Sequence, residues 1–416
     1  MASGPRLSES AQHIRPGVFA ELQRHIDAYA ARGGEMIPLH IGDTHLGPPP
    51  SAHFAAALDD DPAAASMYRY GSTLGLPELR EAIAARLRSR GFGDVDGAHH
   101  VHVTAGATHA LFCAARAVLD PGDEVLVAAP YWPLCTGIFH ACSARPVEVP
   151  LTNLLYADGA RDAAEGFAAA LTPRTKALYL ITPNNPDGKV LTRGQLAQIA
   201  AFAEEHDLWV FADEVYADVV FSEPEAPHVS IASLPGMARR TISVFSFSKS
   251  HALAGARVGY VVAPAEVITA VRRVSTHTVF NVPVVMQRAA LGALLSGDDW
   301  VEAARDTYRT ARDTAVAALA GSNVRFAVAE GGSYLFLDFA PALHGLPLHV
   351  LLERAIDRGV LLAPGDAFGR AYGTCARLCY TSVPAARVVE GIARLRDAVE
   401  SVEHEEQPAS RRPQGR

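Results

Sequence analysis

The chain has 416 residues, 49% hydrophobic and 20% charged, with a formal net charge of -8. That balance excludes a disordered or fibrous chain, and the lack of a Lys/Arg-rich block argues against nucleic acid as a general partner. The length predicts one large and one smaller domain rather than one small core. Five cysteines, odd in number and unpaired in pattern, do not make a disulfide framework. Cys375 and Cys379 flank Arg377 without a second Cys/His pair nearby in sequence, so they read as buried strand thiols rather than a zinc site. The N-terminus lacks a basic region followed by an apolar core, and no stretch has the run of about eighteen apolar residues that a membrane span needs. A cytoplasmic protein is therefore expected.

In chain order, apolar residues at helical spacing from Val18 to Ala31 predict a helix that Gly33 and Gly34 end. A short strand follows at Ile37 to Ile41, and the prolines of GDTHLGPPP keep the next loop irregular. YRYGSTLGLPELR is a glycine-punctuated loop running into a helix from Pro77 to Arg90, with proline tolerated in the first turn. Val101 to Thr104 reads as a strand, and Gly106-Ala107-Thr108 opens a helix through Val118. Such a helix start offers free backbone N–H groups to an anion, although any α/β unit needs a turn of this kind.

The alternation continues. Strands are predicted at Glu124 to Ala128, Pro146 to Pro150, Thr175 to Ile181 and Leu208 to Ala212, with helices near Gly166 to Leu171 and from Leu191 to His206, where Thr192 is the N-cap. This is the pattern of a mostly parallel sheet covered on both faces, whose ligands bind at the carboxyl ends of the strands. Beyond Val261 the chain becomes more helical, with helices at Val284 to Leu295, Val301 to Leu319, Leu348 to Arg358 and Pro384 to Glu403. Strands are expected at Arg325 to Ala329, Ser333 to Phe339 and Arg377 to Ser382.

One stretch stands apart: SVFSFSKSHALAGARVGYVVAP, Ser243 to Pro264, between strands at Thr241 to Phe245 and Val258 to Ala263. Lys249 lies in its middle among small and hydroxyl residues that do not form a solvated face. Its residues allow a reactive amine that loses its proton beside other cations or in an apolar wall, or a strand-end lysine that snorkels to solvent. Thr104, Pro130, Thr182 and Asp213 lie at the same strand ends.

YGSTLGLPELR, TAGATHAL, TPNNPDG, FADEVYADVVF and SFSKSHALAGARVGY, in that order, resemble the blocks of the class I/II aminotransferases of the fold type I, aspartate aminotransferase-like, pyridoxal-phosphate enzymes. The resemblance covers nearly the whole chain. It implies an α/β fold: a large domain with a mostly parallel, seven-stranded-type sheet between helices, and a smaller α+β domain. The domains it implies are a flexible arm at 1–13, a large cofactor-binding domain at 51–290, a small domain from 14–50 and 291–403, and a disordered tail at 404–416.

The cofactor would be pyridoxal 5'-phosphate, and the reaction transfer of an amino group between an L-amino acid and a 2-oxo acid. Lys249 would carry the cofactor as a Schiff base and shuttle the Cα proton. Asp213 would pair with the pyridine nitrogen, and Tyr216 and Asn185 with the ring hydroxyl oxygen. Gly106, Ala107 and Thr108 with Ser246 and Arg257 would hold the phosphate, and Trp132 would stack on the ring. Tyr70 would reach the phosphate of a neighbouring subunit, implying a homodimer. Arg377, set between apolar residues in CARLCY, would clamp the substrate α-carboxylate, with the Gly42 backbone and Asn185 beside it.

Several residues depart from the pattern or stand outside it. Asp187 occupies the turn position where many members have threonine. Thr44 and His45 lie in the loop that lines the side-chain pocket, and His251 and His277 are expected near it; together they point to a polar substrate side chain. The cofactor apparatus alone also allows elimination, replacement, cyclisation or oxidation, or a non-catalytic regulatory domain. A nicotinamide-dependent dehydrogenase fails for want of G-x-G-x-x-G after an early strand.

Overall fold

A computed structural model describes residues 6–15, 17–19, 22–55, 67–155, 162–221 and 228–405. The strands are β1 (Ile37–Pro38), β2 (Val101–Thr104), β3 (Glu124–Ala128), β4 (Arg145–Val149), β5 (Thr175–Ile181), β6 (Trp209–Asp213), β7 (Thr241–Ser246), β8 (Gly259–Val262), β9 (Tyr334–Asp338), β10 (Val360–Leu361), β11 (Ala363–Pro364) and β12 (Cys375–Cys379).

Seven of them form one sheet in the order β2-β8-β7-β6-β5-β3-β4. Strands β4, β3, β5, β6 and β7 run parallel, while β8 is antiparallel to both of its neighbours. Side chains of the central strands are buried on both faces, which is why β3, β5, β6 and β7 read as continuous apolar runs rather than alternating ones. The helices Gly106–Val118 and Arg193–Glu205 pack on this sheet through separate apolar clusters. Thr192 caps the second of them in a full capping box with Gln195.

A second core gathers Leu22, Ile37 and Leu39 with side chains from Ala304 to Val402, and Val219 and Phe221 join it from the other side. Its sheet is β11-β12-β9, in which β12 pairs antiparallel with β9 so that Arg377 faces Phe336 and Cys379 faces Tyr334. Strand β1 pairs with β10, tying the N-terminal segment to this second core.

The element boundaries differ from the sequence reading in places with a physical cause. The first long helix starts at Gln23 rather than Val18, and no side chain caps it. The run from Arg325 to Ala329 makes one bridge, Arg325 to Asp338, and no strand. The chain then leaves the sheet, since the amides of Glu330 and Gly331 donate to Gly188 O and that of Gly332 to Val219 O. The helices Leu134–Ala141 and Ala265–Thr276 were not anticipated. Glu9–Gln12 forms a short helix within the expected arm, and residues 406–416 of the expected tail lie outside the described residues. Among the described residues no helix is long and apolar enough to cross a membrane.

Candidate active site

The strand ends converge on a cavity of about 230 Å³ lined by Gly42, Ala107, Thr108, Trp132, Ile181, Asn185, Asp213, Val215, Tyr216, Ser246, Ser248, Lys249, Ala254, Arg257, Tyr334 and Arg377. Of the expected site residues, only Gly106 and Tyr70 are not on its wall. A larger surface hollow, of about 860 Å³, shares none of these residues.

Strand β7 ends at Ser246, whose Oγ accepts from Ser248 N at 3.1 Å and caps the short helix Phe247–Ser250. That turn presents Lys249, whose Nζ donates to Gly42 O. Burial is the main cause that lowers the Lys249 pKa, with Arg377 and Arg257 adding to it and Asp43 opposing it. A lysine so placed gives up its proton more readily than one in water.

Asp213 ends β6 and is 3% exposed. Its Oδ2 accepts from the Tyr179 hydroxyl at 2.8 Å, and burial pushes its pKa up to about 7. Among the described residues no cation pairs with it, which leaves the carboxylate for a cationic partner from the cavity. Tyr216 is buried beside it, and its hydroxyl lies 2.6 Å from that of Tyr334.

One end of the cavity is a built anion seat. Gly106 has φ +80°, and a Cβ there would come within 2.5 Å of Arg257 Nη2. Arg257, itself in the left-handed region at φ 51°, therefore lies directly over the start of the helix Gly106–Val118. The first-turn amides of Ala107 and Thr108 have no intrahelical acceptor, and the hydroxyls of Thr108, Ser246 and Ser248 stand nearby on the cavity wall. A fork of guanidinium donors above helix amides is chemistry for a phosphate dianion.

At the opposite end Arg377 is 8% exposed, with Nη1 donating to Asn185 Oδ1 at 2.8 Å and Nη2 to His40 O at 2.7 Å. Its guanidinium carbon sits 4.2 Å from the Tyr334 ring centre and 5.0 Å from that of Phe368. No carboxylate pairs with it among the described residues, and its buried Nε has no partner. The charge is left for an incoming anion. The Asn185 amide oxygen is thus committed to Arg377, leaving its nitrogen for the cavity.

The residues outside the family pattern separate. Asp187 is buried away from the cavity wall, accepting from Asn184 Nδ2 at 2.8 Å, and burial raises its pKa. It braces the turn that holds Asn185. The hydroxyl of Tyr308 donates to Thr44 Oγ1 at 2.6 Å, and exposed His45 contacts Thr381 O through Nδ1. His251 is buried against Ser250, and His277 ends a helix on the surface. Sequence reasoning missed Tyr179, Ser248 and Tyr334. Ser248 sits one residue from the lysine and was within reach; the two tyrosines lie inside apolar strands, and only pairing decides where they point.

These features define a fold type I pyridoxal-phosphate enzyme. The family model described as aminotransferase class I and II matches residues 34–395. The chain is 38% identical to an arginine–pyruvate transaminase of Pseudomonas aeruginosa, over 88% of this chain and 91% of that one. It is 33% identical to a probable aspartate/prephenate aminotransferase of Aquifex aeolicus, over 95% and 99%. An aspartate aminotransferase from Thermus thermophilus solved with maleate superposes with a TM-score of 0.85 at 28% identity, covering 95% of this chain and all of that one (100%). The chain belongs to the class I and II aminotransferases and is a pyridoxal-phosphate-dependent enzyme of amino and 2-oxo acids.

Proposed function

We propose that the cavity carries out transamination with Lys249 as both tether and base, and that the amino donor is an L-amino acid with a cationic side chain. The observation that carries the site assignment is the convergence of Lys249, Asp213 and Arg377 on one cavity whose far end is the Gly106–Arg257 seat. Bound there, pyridoxal phosphate supplies a carbonyl carbon that takes up the amino group and a protonated ring that stores the Cα electron pair. Arg257, Ser246 and the amides of Ala107 and Thr108 would bind its phosphate. Asp213 would hold the ring nitrogen protonated, Trp132 would cover the ring, and Tyr216 and the Asn185 nitrogen would donate to its ring oxygen. Arg377 binds the substrate α-carboxylate beside the Gly42 backbone, which fixes the Cα–H bond towards Lys249. Lys249 Nζ, its pKa lowered by burial, then takes the proton from Cα.

The side-chain reading rests on Asp43. This exposed residue follows Gly42, keeps Oδ1 on Thr44 N at 2.9 Å, and acts on Lys249 as the main opposing charge. A carboxylate at that edge favours a cationic donor, in keeping with the substrate named for the Pseudomonas relative. Steady-state kinetics with pyruvate should give a kcat/KM for L-arginine at least about tenfold above that for L-aspartate. Asp43→Asn should narrow that ratio; a preference for L-aspartate would refute the donor assignment while leaving the site intact.

A homodimer with shared sites fits the exposed rings of Tyr68 and Tyr70, 88% and 87% accessible, the latter edge-on to Phe280 at 5.0 Å. Tyr70 of one subunit reaches the phosphate of the other. Residues 51–290 act as the large domain, and 14–50 with 291–403 as the small one. The five cysteines are all buried and unbridged, which suits a reducing, cytoplasmic setting.

A further inference from the structure

We infer that Tyr334 is a positioning residue of this active site, its hydroxyl aiming Tyr216 at the cofactor and its ring seating Arg377. The inference rests on the placement of Tyr216 towards the cofactor's ring oxygen.

Three parts of the chain meet on this one side chain. Tyr334 starts β9 in the second core and is 1% exposed. Its hydroxyl lies 2.6 Å from that of Tyr216, which comes from the segment after β6. The two rings meet edge-on, with centroids 5.8 Å apart and planes at 78°. From the N-terminal segment, Gly42 approaches so closely that a Cβ there would stand 1.9 Å from the Tyr334 oxygen. From the strand beside it, Arg377 lies over the ring at 4.2 Å. Packing alone would be served by phenylalanine, as at Phe336 two residues on. A buried hydroxyl needs a hydrogen-bond partner, and this one faces Tyr216.

Either hydroxyl could donate across this contact, and the relay assigns the donation to Tyr334. Among the described residues, the Tyr216 oxygen is the acceptor in reach of the Tyr334 hydroxyl. If Tyr334 donates, the Tyr216 proton is free to point into the cavity; the reverse would turn it away. Burial raises both phenols, and the Arg377 guanidinium acts to lower both. Asp43 and Cys379 also face Tyr334 and act in the opposite sense to Arg377. A phenol that accepts one hydrogen bond becomes a stronger donor of its own. Tyr334 therefore strengthens as well as directs the donation from Tyr216. The ring acts separately from the hydroxyl. A guanidinium over an aromatic face is attracted to it, which holds Arg377 in place for the α-carboxylate.

Two variants of the cofactor-loaded enzyme separate the hydroxyl from the ring. The first readout is the pH midpoint of the bound cofactor's visible absorption, which follows the proton held between Lys249 and the ring oxygen. A good donor on that oxygen draws off its charge and lowers the midpoint. Tyr334→Phe should raise the midpoint by about 0.5 to 1 unit, less than Tyr216→Phe does, with the KM for the amino donor unchanged within about twofold. Tyr334→Leu should raise that KM about tenfold. A midpoint unmoved in Tyr334→Phe while Tyr216→Phe moves it would overturn the relay. No movement in either variant would overturn the placement of Tyr216 and the relay with it. Equal KM increases in Tyr334→Phe and Tyr334→Leu would overturn the separate role of the ring.

Discussion

Asp213 shows most clearly how one residue's setting serves the chemistry. Its folded pKa, pushed up from 3.8 to about 7 by burial, exceeds that of the unfolded chain. Between these values the folded protein keeps a proton that the unfolded chain has released. The Asp213 contribution to stability is thus fully present below the unfolded pKa and is lost as pH rises through about 7. Without cofactor, wild-type protein should lose thermal stability relative to Asp213→Asn across that window, because asparagine does not titrate. A constant gap in melting temperature would show that Asp213 is ionised throughout. The residue's identity was legible in the sequence from the FADEVY block, but its environment was not. Tyr179, which donates to it, lies four residues into β5, and only the pairing of β5 with β6 brings the two together. Arg377 was legible for a different reason: a charge between apolar residues asks for an anion wherever it is buried.

At the scale of elements, the sequence marked the strand ends well because parallel, doubly covered strands are apolar throughout and stop abruptly. It marked helices less well where caps were missing. Leu134–Ala141 has no side-chain cap and contains Gly137, and Ala265–Thr276 is rich in β-branched residues and follows directly on a strand. The run from Ser333 to Phe339 reads as a strand, yet nothing in it marks Tyr334, whose facing depends on the pairing with Cys379 in β12. The turn at Gly106 belongs to this scale as well. It could be any strand-to-helix turn until Arg257 is seen at 2.5 Å from where a Cβ would lie. Gly106→Ala should therefore weaken pyridoxal phosphate binding by about ten- to a hundredfold, by straining φ and pushing Arg257 off the helix start. Equilibrium dialysis of the cofactor checks this, and an unchanged affinity would mean that the phosphate does not sit there.

The whole molecule places its chemistry between its two main cores, where Tyr334 packs with Tyr216 and Ile181, and Gly42 and Arg377 from the segments of the second core close on Lys249 and Asp213 from the large sheet. If Tyr70 serves the neighbouring subunit, Lys249→Ala and Tyr70→Ala chains, each inactive or impaired alone, should complement each other when co-assembled. A hybrid would hold one intact site, so statistical mixing should restore about a quarter of wild-type activity. No recovery would place Tyr70 in its own subunit's site or outside any site. All of this organisation presumes one reactive amine among the lysines of the chain. Borohydride reduction of the cofactor-loaded enzyme, followed by peptide mass analysis, identifies that amine directly. The expected result is the cofactor mass fixed on the peptide containing Lys249 and on no other; label on Lys176 or Lys189 with Lys249 unmodified would contradict the account.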